Sequence, residues 1–219
     1  GMLMAERRAV GKNEGAPPND LFDLMGAARD PETGEAFTDE QLGDQVATMI
    51  LAGHETTATA LFWSLYLLSL DPDTQQQVAA EVQGATVGGA LDIDRLKFTR
   101  AVVDETMRLY PPAFLIARSA AAPDTIAGRP VRKNDVILIA PWLLHRHEKL
   151  WSDPNAFVPS RFMTGTPPDR FAYLPFGVGA RVCIGAHFAL VEATLALAKI
   201  VGAFRIDLLD KEPVMPLGI

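Results

Sequence analysis

One helical pattern, far longer than usual, sets the frame for everything else in this chain. Thr38-Asp39-Glu40-Gln41 reads as a capping box, with Thr38 capping the first turn and Gln41 reaching back to the cap N–H. Beyond it Leu42, Val46, Met49, Ile50, Leu61, Phe62, Leu65 and Leu68 keep helical spacing until Asp71-Pro72 stops the run. The pattern predicts one helix of about 30 residues, against a usual length of about 11 to 12. A helix of that length crosses a whole domain. Its most apolar part, Ala58 to Leu70, contains Thr59, Ser64 and Ser69 and falls short of the roughly 20 residues of a membrane span. No membrane association is therefore expected.

Shorter helices are predicted over about 72–83, ended by Gly84, and over about 98–110, ended by Pro111-Pro112. The period then changes. Gly128-Arg129-Pro130 and Lys133-Asn134-Asp135 read as turns and Val136-Ile137-Leu138-Ile139 as a buried strand, so a small sheet begins here. Residues 141–182 are rich in Pro and Gly and loop-like, a length of irregular chain that usually carries function. A final helix is expected over Ala186–Ala203. Residues 1–37 read as a partly flexible lead-in with a short helical pattern at Leu21-Phe22-Leu24-Met25, and 38–219 as one domain. The fold class is mainly α with a small β-sheet (α+β).

Composition narrows the chemistry. Twenty Lys+Arg against 27 Asp+Glu leave a net charge of -7, which offers no field for nucleic acid or anionic lipid. The single cysteine, Cys183, excludes an internal disulfide and a CxxC cluster. It leaves a buried thiol, a nucleophile or a one-thiolate metal ligand. Met2-Leu3-Met4-Ala5 is too short for the apolar core of a secretory signal, so a cytoplasmic location is expected.

That cysteine sits in Phe176-Gly177-Val178-Gly179-Ala180-Arg181-Val182-Cys183-Ile184-Gly185. Glycines let backbone approach a flat or charged ligand, and the loop feeds a helix whose N-terminal N–H groups favour an anion such as a thiolate. The pattern FxxGxRxCxG resembles the heme-binding loop of the cytochrome P-450 family, the heme-thiolate monooxygenases. The resemblance implies that Cys183 is the proximal ligand of the iron of heme b (iron protoporphyrin IX). It further implies that Arg181 pairs with a propionate and that Phe176 packs beside the thiolate, with Gly177, Gly179 and Gly185 shaping the cradle. A thiolate of this kind donates electron density through iron and promotes O–O cleavage.

Two further motifs agree with it. Glu105-Thr106-Met107-Arg108 matches the family's Glu-x-x-Arg helix, and Ala101, Val102 and Leu109 place Glu105 on a partly buried face. A buried carboxylate needs partners. By resemblance Arg161, in Pro159-Ser160-Arg161-Phe162, completes a structural cluster with Glu105 and Arg108, although Ser160 stands where an acid is usual. In the long helix, Gly53-His54-Glu55-Thr56-Thr57 is poor helix material, and the Thr56 hydroxyl is expected to take over a carbonyl one turn back and open the helix. By resemblance Glu55 and Thr56 form the acid-alcohol pair that relays protons during catalysis. Arg118 falls where the family places a second propionate partner. Trp142 and Arg146 spell WxxxR in the wrong order for the family's heme grip and are read as coincidence. His54, His145, His147 and His187 show no metal-ligand spacing and are assigned no role.

The motifs keep the family's order, yet family members are about twice this long, and Pro213–Ile219 resembles the start of a hairpin that continues in them. A fragment or truncated member is expected, with weak heme retention by itself, relieved by an element-swapped homodimer. The implied activity of the complete enzyme is insertion of one oxygen atom of O2 into an apolar substrate lying against Ile50, Leu51, Ala113, Phe114 and Leu115. Electrons would come from NAD(P)H through a separate ferredoxin or flavoprotein. The competing reading is a non-catalytic residual fold that binds heme or nothing. A cysteine hydrolase would need a base beside Cys183, and the sequence suggests none.

Overall fold

A computed structural model describes residues 20–165, 169–209 and 214. Most of the early lead-in and of the segment expected to begin a hairpin, Pro213 and residues 215–219, lie outside the described residues. The chain divides into two units, Gly1–Glu55 and Thr56–Ile219, with the boundary inside the long helix.

The first unit holds α1 (Leu21–Ala27), begun by Asp20, whose Oδ1 accepts the Asp23 N–H at 3.0 Å. An isolated bridge pairs Arg29 with Ala36. The long helix, α2, covers Asp39–Leu70, 32 residues. Its start is the predicted reciprocal cap: the Thr38 N–H donates to Gln41 Oε1 at 2.9 Å and the Gln41 N–H to Thr38 Oγ1 at 3.2 Å. The helix passes through Gly53–Thr57 without interruption, so the opening expected at Thr56 is not a break in α2. Flanking apolar turns that favour helix carry the weak stretch with them.

In the second unit α3 (Pro72–Ala85), α4 (Lys97–Leu109) and α6 (Ala186–Ala203) pack on one another, and Ala60 and Leu68 from the later turns of α2 join their buried core. Leu68, Val78, Val102, Val103, Leu197 and Ala198 are fully buried at the centre. α3 outruns its predicted stop at Gly84 by one residue. α4 begins without a side-chain cap of its own, and Glu81 on α3 supplies one. Its carboxylate accepts the N–H groups of Phe98 (2.6 Å) and Thr99 (2.7 Å) and the Thr99 hydroxyl (2.7 Å). α6 has the predicted bounds, and by length and composition alone could cross a membrane. Here its Ala193, Leu197, Ala198 and Val201 are buried, and it packs against α3 and α4.

The sheet is smaller than expected. β1 (Thr86–Val87) pairs with β2 (Ala90–Leu91), β3 (Ile116–Ser119) with β6 (Val136–Ile139), and β4 (Asp124–Ile126) with β5 (Arg129–Val131), all antiparallel. The strand at Val136–Ile139 exists but is not buried: Val136 is 66% and Leu138 60% exposed. An apolar run reports strand propensity, while its cover is set by other elements, and β6 belongs to a two-stranded ladder. Among the described residues of 141–182 the regular structure is a short helix α5 (Pro141–Leu144) and 3₁₀ turns at Pro159–Met163 and Gly179–Arg181.

Candidate functional site

α4 presents Glu105 and Arg108 inward, one turn apart, and both side chains are fully buried. The pair is bidentate: Arg108 Nε donates to Glu105 Oε2 at 2.7 Å and Nη2 to Oε1 at 2.8 Å. The remaining donors are used on main chain. Nη1 donates to the carbonyls of His145 and Pro154, each at 2.7 Å, and Nη2 to that of Ala156 at 2.9 Å. Glu105 Oε1 also accepts the Val158 N–H at 2.8 Å and Arg161 Nε at 3.3 Å. Arg161 reaches on to Ser152 Oγ (3.1 Å) and the Asp153 carbonyl (2.9 Å). The Glu105 carboxylate and the Arg108 guanidinium thus tie four main-chain points, at His145, Pro154, Ala156 and Val158, to one helix, and Arg161 adds a fifth tie through its side chain. The cluster predicted from sequence is assembled, and Glu105 is more deeply buried than its neighbours suggested.

Sequence reasoning missed His145. It is fully buried, accepts the Leu174 N–H at Nε2 (2.8 Å), and stands with Nδ1 3.2 Å from the Arg108 carbonyl. Burial, and then the Arg108 and Arg146 charges, push its pKa down to about 4. Beside it the Tyr173 hydroxyl donates to Asp104, to the carbonyl at 2.8 Å or Oδ1 at 3.2 Å. Burial raises the Asp104 carboxyl above its ordinary value despite Arg100, 2.9 Å away. His145 had no legible signal, because its partners are backbone atoms 37 and 29 positions away.

The loop that these ties hold carries the cysteine. Gly177 (φ +71°) and Gly179 (φ +80°) occupy left-handed backbone, which a Cβ disfavours. A Cβ on Gly177 would lie 3.9 Å from Ile116 Cδ1 of β3, so the loop rests on the strand that also bears Arg118. The Cys183 N–H donates to the Phe176 carbonyl at 2.9 Å and closes the loop, while the Phe176 ring packs on the apolar core. Cys183 itself is exposed, three residues before the first residue of α6. A Cβ on Gly185 would stand 3.9 Å from its sulfur.

These residues suit an iron porphyrin. The sulfur is exposed rather than packed in the core, and its chain neighbours Val182 and Ile184 are 53% and 82% exposed, apolar surface that a macrocycle would cover. Arg181 and Arg118 are exposed and, among the described residues, form no ion pair; Arg118 donates only to the Ala117 carbonyl, at 2.8 Å.

The other predicted residues are placed but not gathered. Glu55 and Thr56 are exposed neighbours on α2, and the boundary between the units falls between them. Ile50 and Leu51 are exposed on α2 in the first unit, and Ala113, Phe114 and Leu115 are exposed in the second, leading into β3. Trp142 and Arg146, given no role in holding heme, pack on each other. The Arg146 guanidinium lies 4.4 Å from the Trp142 ring centroid and 5.4 Å from that of Tyr110, which stacks on Trp63 at 4.0 Å.

Comparison with known proteins gives a consistent picture. The family model for cytochrome P-450 matches residues 2–217. Cyclooctatin synthase of Streptomyces melanosporofaciens is 39% identical over 202 residues, 90% of this chain and 44% of that protein. Cyclooctat-9-en-7-ol 5-monooxygenase of the same organism is 36% identical over 209 residues, 93% of this chain and 45% of that protein. The mouse protein cytochrome P-450 4A12B is 33% identical over 205 residues, 91% and 40% respectively. The chain thus spans a little under half the length of the curated relatives it matches.

Proposed function

This chain belongs to the cytochrome P-450 family, and from that premise we propose that it carries the heme-thiolate portion of a monooxygenase acting on an apolar organic substrate. The exposed Cys183 sulfur, on a glycine-held loop ahead of α6, carries the reading. Heme b is the group this sulfur would hold. When bound, it supplies the activation of dioxygen, one atom of which enters the substrate while the other leaves as water.

The chain's own residues prepare that chemistry. Closure of the loop by the Cys183 N–H and the Phe176 carbonyl fixes where the sulfur points. Arg181 and Arg118 would accept the propionates, since neither is committed to a carboxylate of the described chain. Glu55 and the Thr56 Oγ1 would pass protons inward from solvent, which both side chains meet. Glu105, Arg108 and Arg161 touch no reacting atom and hold the loop's approach. Ile50 and Leu51 in the first unit, and Ala113, Phe114 and Leu115 in the second, would each meet an apolar substrate, and the exposure of each group is in keeping with that role.

Electrons would arrive from NAD(P)H through a separate ferredoxin or flavoprotein. An acidic chain with one free thiol is consistent with the cytoplasm, with 38–219 acting as one heme-thiolate portion. Heme held by this chain alone would be weakly retained, and exchange of elements between two copies would strengthen it. Adding hemin to the purified chain, reducing it and adding CO tests the proposal. A thiolate-type Soret band that Cys183→Ala abolishes supports it. No band at any hemin concentration, or an unchanged band in Cys183→Ala, refutes it, the first outcome favouring an inert fold.

A further inference from the structure

We propose that His145 is the positioning residue that transmits the buried Glu105–Arg108 cluster to Cys183, through an imidazole wedged between the end of α4 and the start of the cysteine loop. This rests on the reading of Cys183 as the heme ligand.

The hydrogen-bond roles leave one assignment. A main-chain N–H only donates, so Leu174 at 2.8 Å requires a bare Nε2. The proton is then on Nδ1, directed at the Arg108 carbonyl 3.2 Å away. That carbonyl lies in the last turn of α4 and has no intrahelical partner. The ring therefore satisfies one orphan acceptor and one loop donor, with no exposure to water. On the loop side the Leu174 carbonyl accepts the Gly177 N–H at 3.2 Å, and the Phe176 carbonyl accepts the Cys183 N–H at 2.9 Å. Short backbone turns thus join Arg108 to the sulfur-bearing residue by way of His145. The arrangement is closed on itself, because Arg108 Nη1 donates to the carbonyl of the same histidine.

A histidine needed only to fill space would not use both nitrogens on two different elements. Its nearest neighbour in the same task is Tyr173, whose hydroxyl reaches Asp104 one turn earlier on α4. The tyrosine anchors residue 173, and the histidine sets the residue from which the turn springs.

The test compares His145→Gln, which restores an acceptor near Nε2, with His145→Asn, which restores only a donor near Nδ1, in the full chain. Amide exchange at Leu174, Gly177 and Cys183 should rise about tenfold in the Asn variant, the change one lost buried hydrogen bond produces, and stay near wild type in Gln. Amides of α3 should be equal in both. Alkylation of the sole cysteine should separate the two variants in the same order. In hemin-loaded, reduced, CO-treated protein the thiol-type fraction of the band should grow in Asn and not in Gln. Equal exchange and equal alkylation in the two variants would overturn the proposal, whether or not either is destabilised. Absence of a thiolate band in the wild type would instead sink the heme reading, leaving the exchange comparison to judge the His145 tie by itself.

Discussion

The cluster around Glu105 and the loop around Cys183 belong to one unit of the fold and are built on opposite rules. In the first, a carboxylate and a guanidinium have no exposure at all, and Arg108 spends its donors on one side chain and three carbonyls. In the second, the Cys183 thiol is exposed, Arg181 and Arg118 are exposed too, and the chain's shape comes from glycine backbone and one N–H to carbonyl closure. The difference teaches a division of labour. Polar groups saturated by the protein fix geometry; polar groups left open are available for something the protein binds.

The comparison breaks most severely if the saturated side is opened. Glu105→Ala would leave Arg108 charged, buried and short of its bidentate partner, and would release Val158 and Arg161 together. Removing one member of a buried pair costs about 3 to 5 kcal/mol. The chemical denaturation midpoint should fall accordingly, or the cooperative transition should disappear. Cys183→Ala, on the open side, should leave the midpoint nearly unchanged. Similar losses from the two substitutions would dissolve the distinction.

The next effect is one of pH. His145 binds a proton readily when unfolded, near 6.5, but only at about 4 when folded, because burial and then the Arg108 and Arg146 charges oppose the cation. The unfolded chain therefore takes up the proton first as pH falls. Stability is full above about 6.5, is lost between about 6.5 and 4, and levels off below. A separation of this size corresponds to about 3 kcal/mol. Denaturation midpoints measured across that range in wild type and His145→Gln should diverge upward in pH, the variant lacking this part of the slope. Parallel curves would mean that His145 is not the group being charged.

Legibility follows the same division. The Thr38–Gln41 cap could be read because both partners lie within one turn, and each was found where the spacing put it. Glu105 and Arg108 could be read because an i,i+3 pair on an apolar helix face implies burial, and burial implies partners. The loop of Cys183 could be singled out by its glycines, whereas the role given to the thiol came from the resemblance of FxxGxRxCxG to a family motif. His145 and Glu81 could not. Their partners are main-chain groups brought near by folding, and every residue offers the same main-chain groups. The exposure of Val136 and Leu138 was equally hidden, since an apolar strand looks alike whether or not another element covers it.

A smaller effect sharpens what packing alone contributes. At Gly202 of α6 an added Cβ would come 2.6 Å from Val82 Cγ1 of α3, closer than two carbons can sit. Valine is stiff about χ1 and Val82 is itself 8% exposed, so relief must come from moving helices apart. Gly202→Ala should cost about 2 kcal/mol net, overpacking outweighing the alanine's helix preference. Combining it with Val82→Ala should recover part of that loss, and strict additivity in the double mutant would show that the helices never approached so closely.

The smallest expected effect on stability is the most informative about the loop. Gly177 has φ +71°, yet a Cβ there would meet its nearest neighbour, Ile116 Cδ1, at an ordinary 3.9 Å. Space is available and only conformation resists, so Gly177→Ala should cost about 1 kcal/mol, with little change in the denaturation midpoint. Asparagine, which tolerates left-handed backbone, should be milder than alanine, and β-branched valine worse. The cost falls on the segment that closes through Phe176 and Cys183. Alkylation rates at the single thiol should therefore follow the order Gly, Asn, Ala, Val even where global stability barely separates them. If instead the four track the denaturation midpoint alone, the loop shares the fate of the core and is not a separately tuned element.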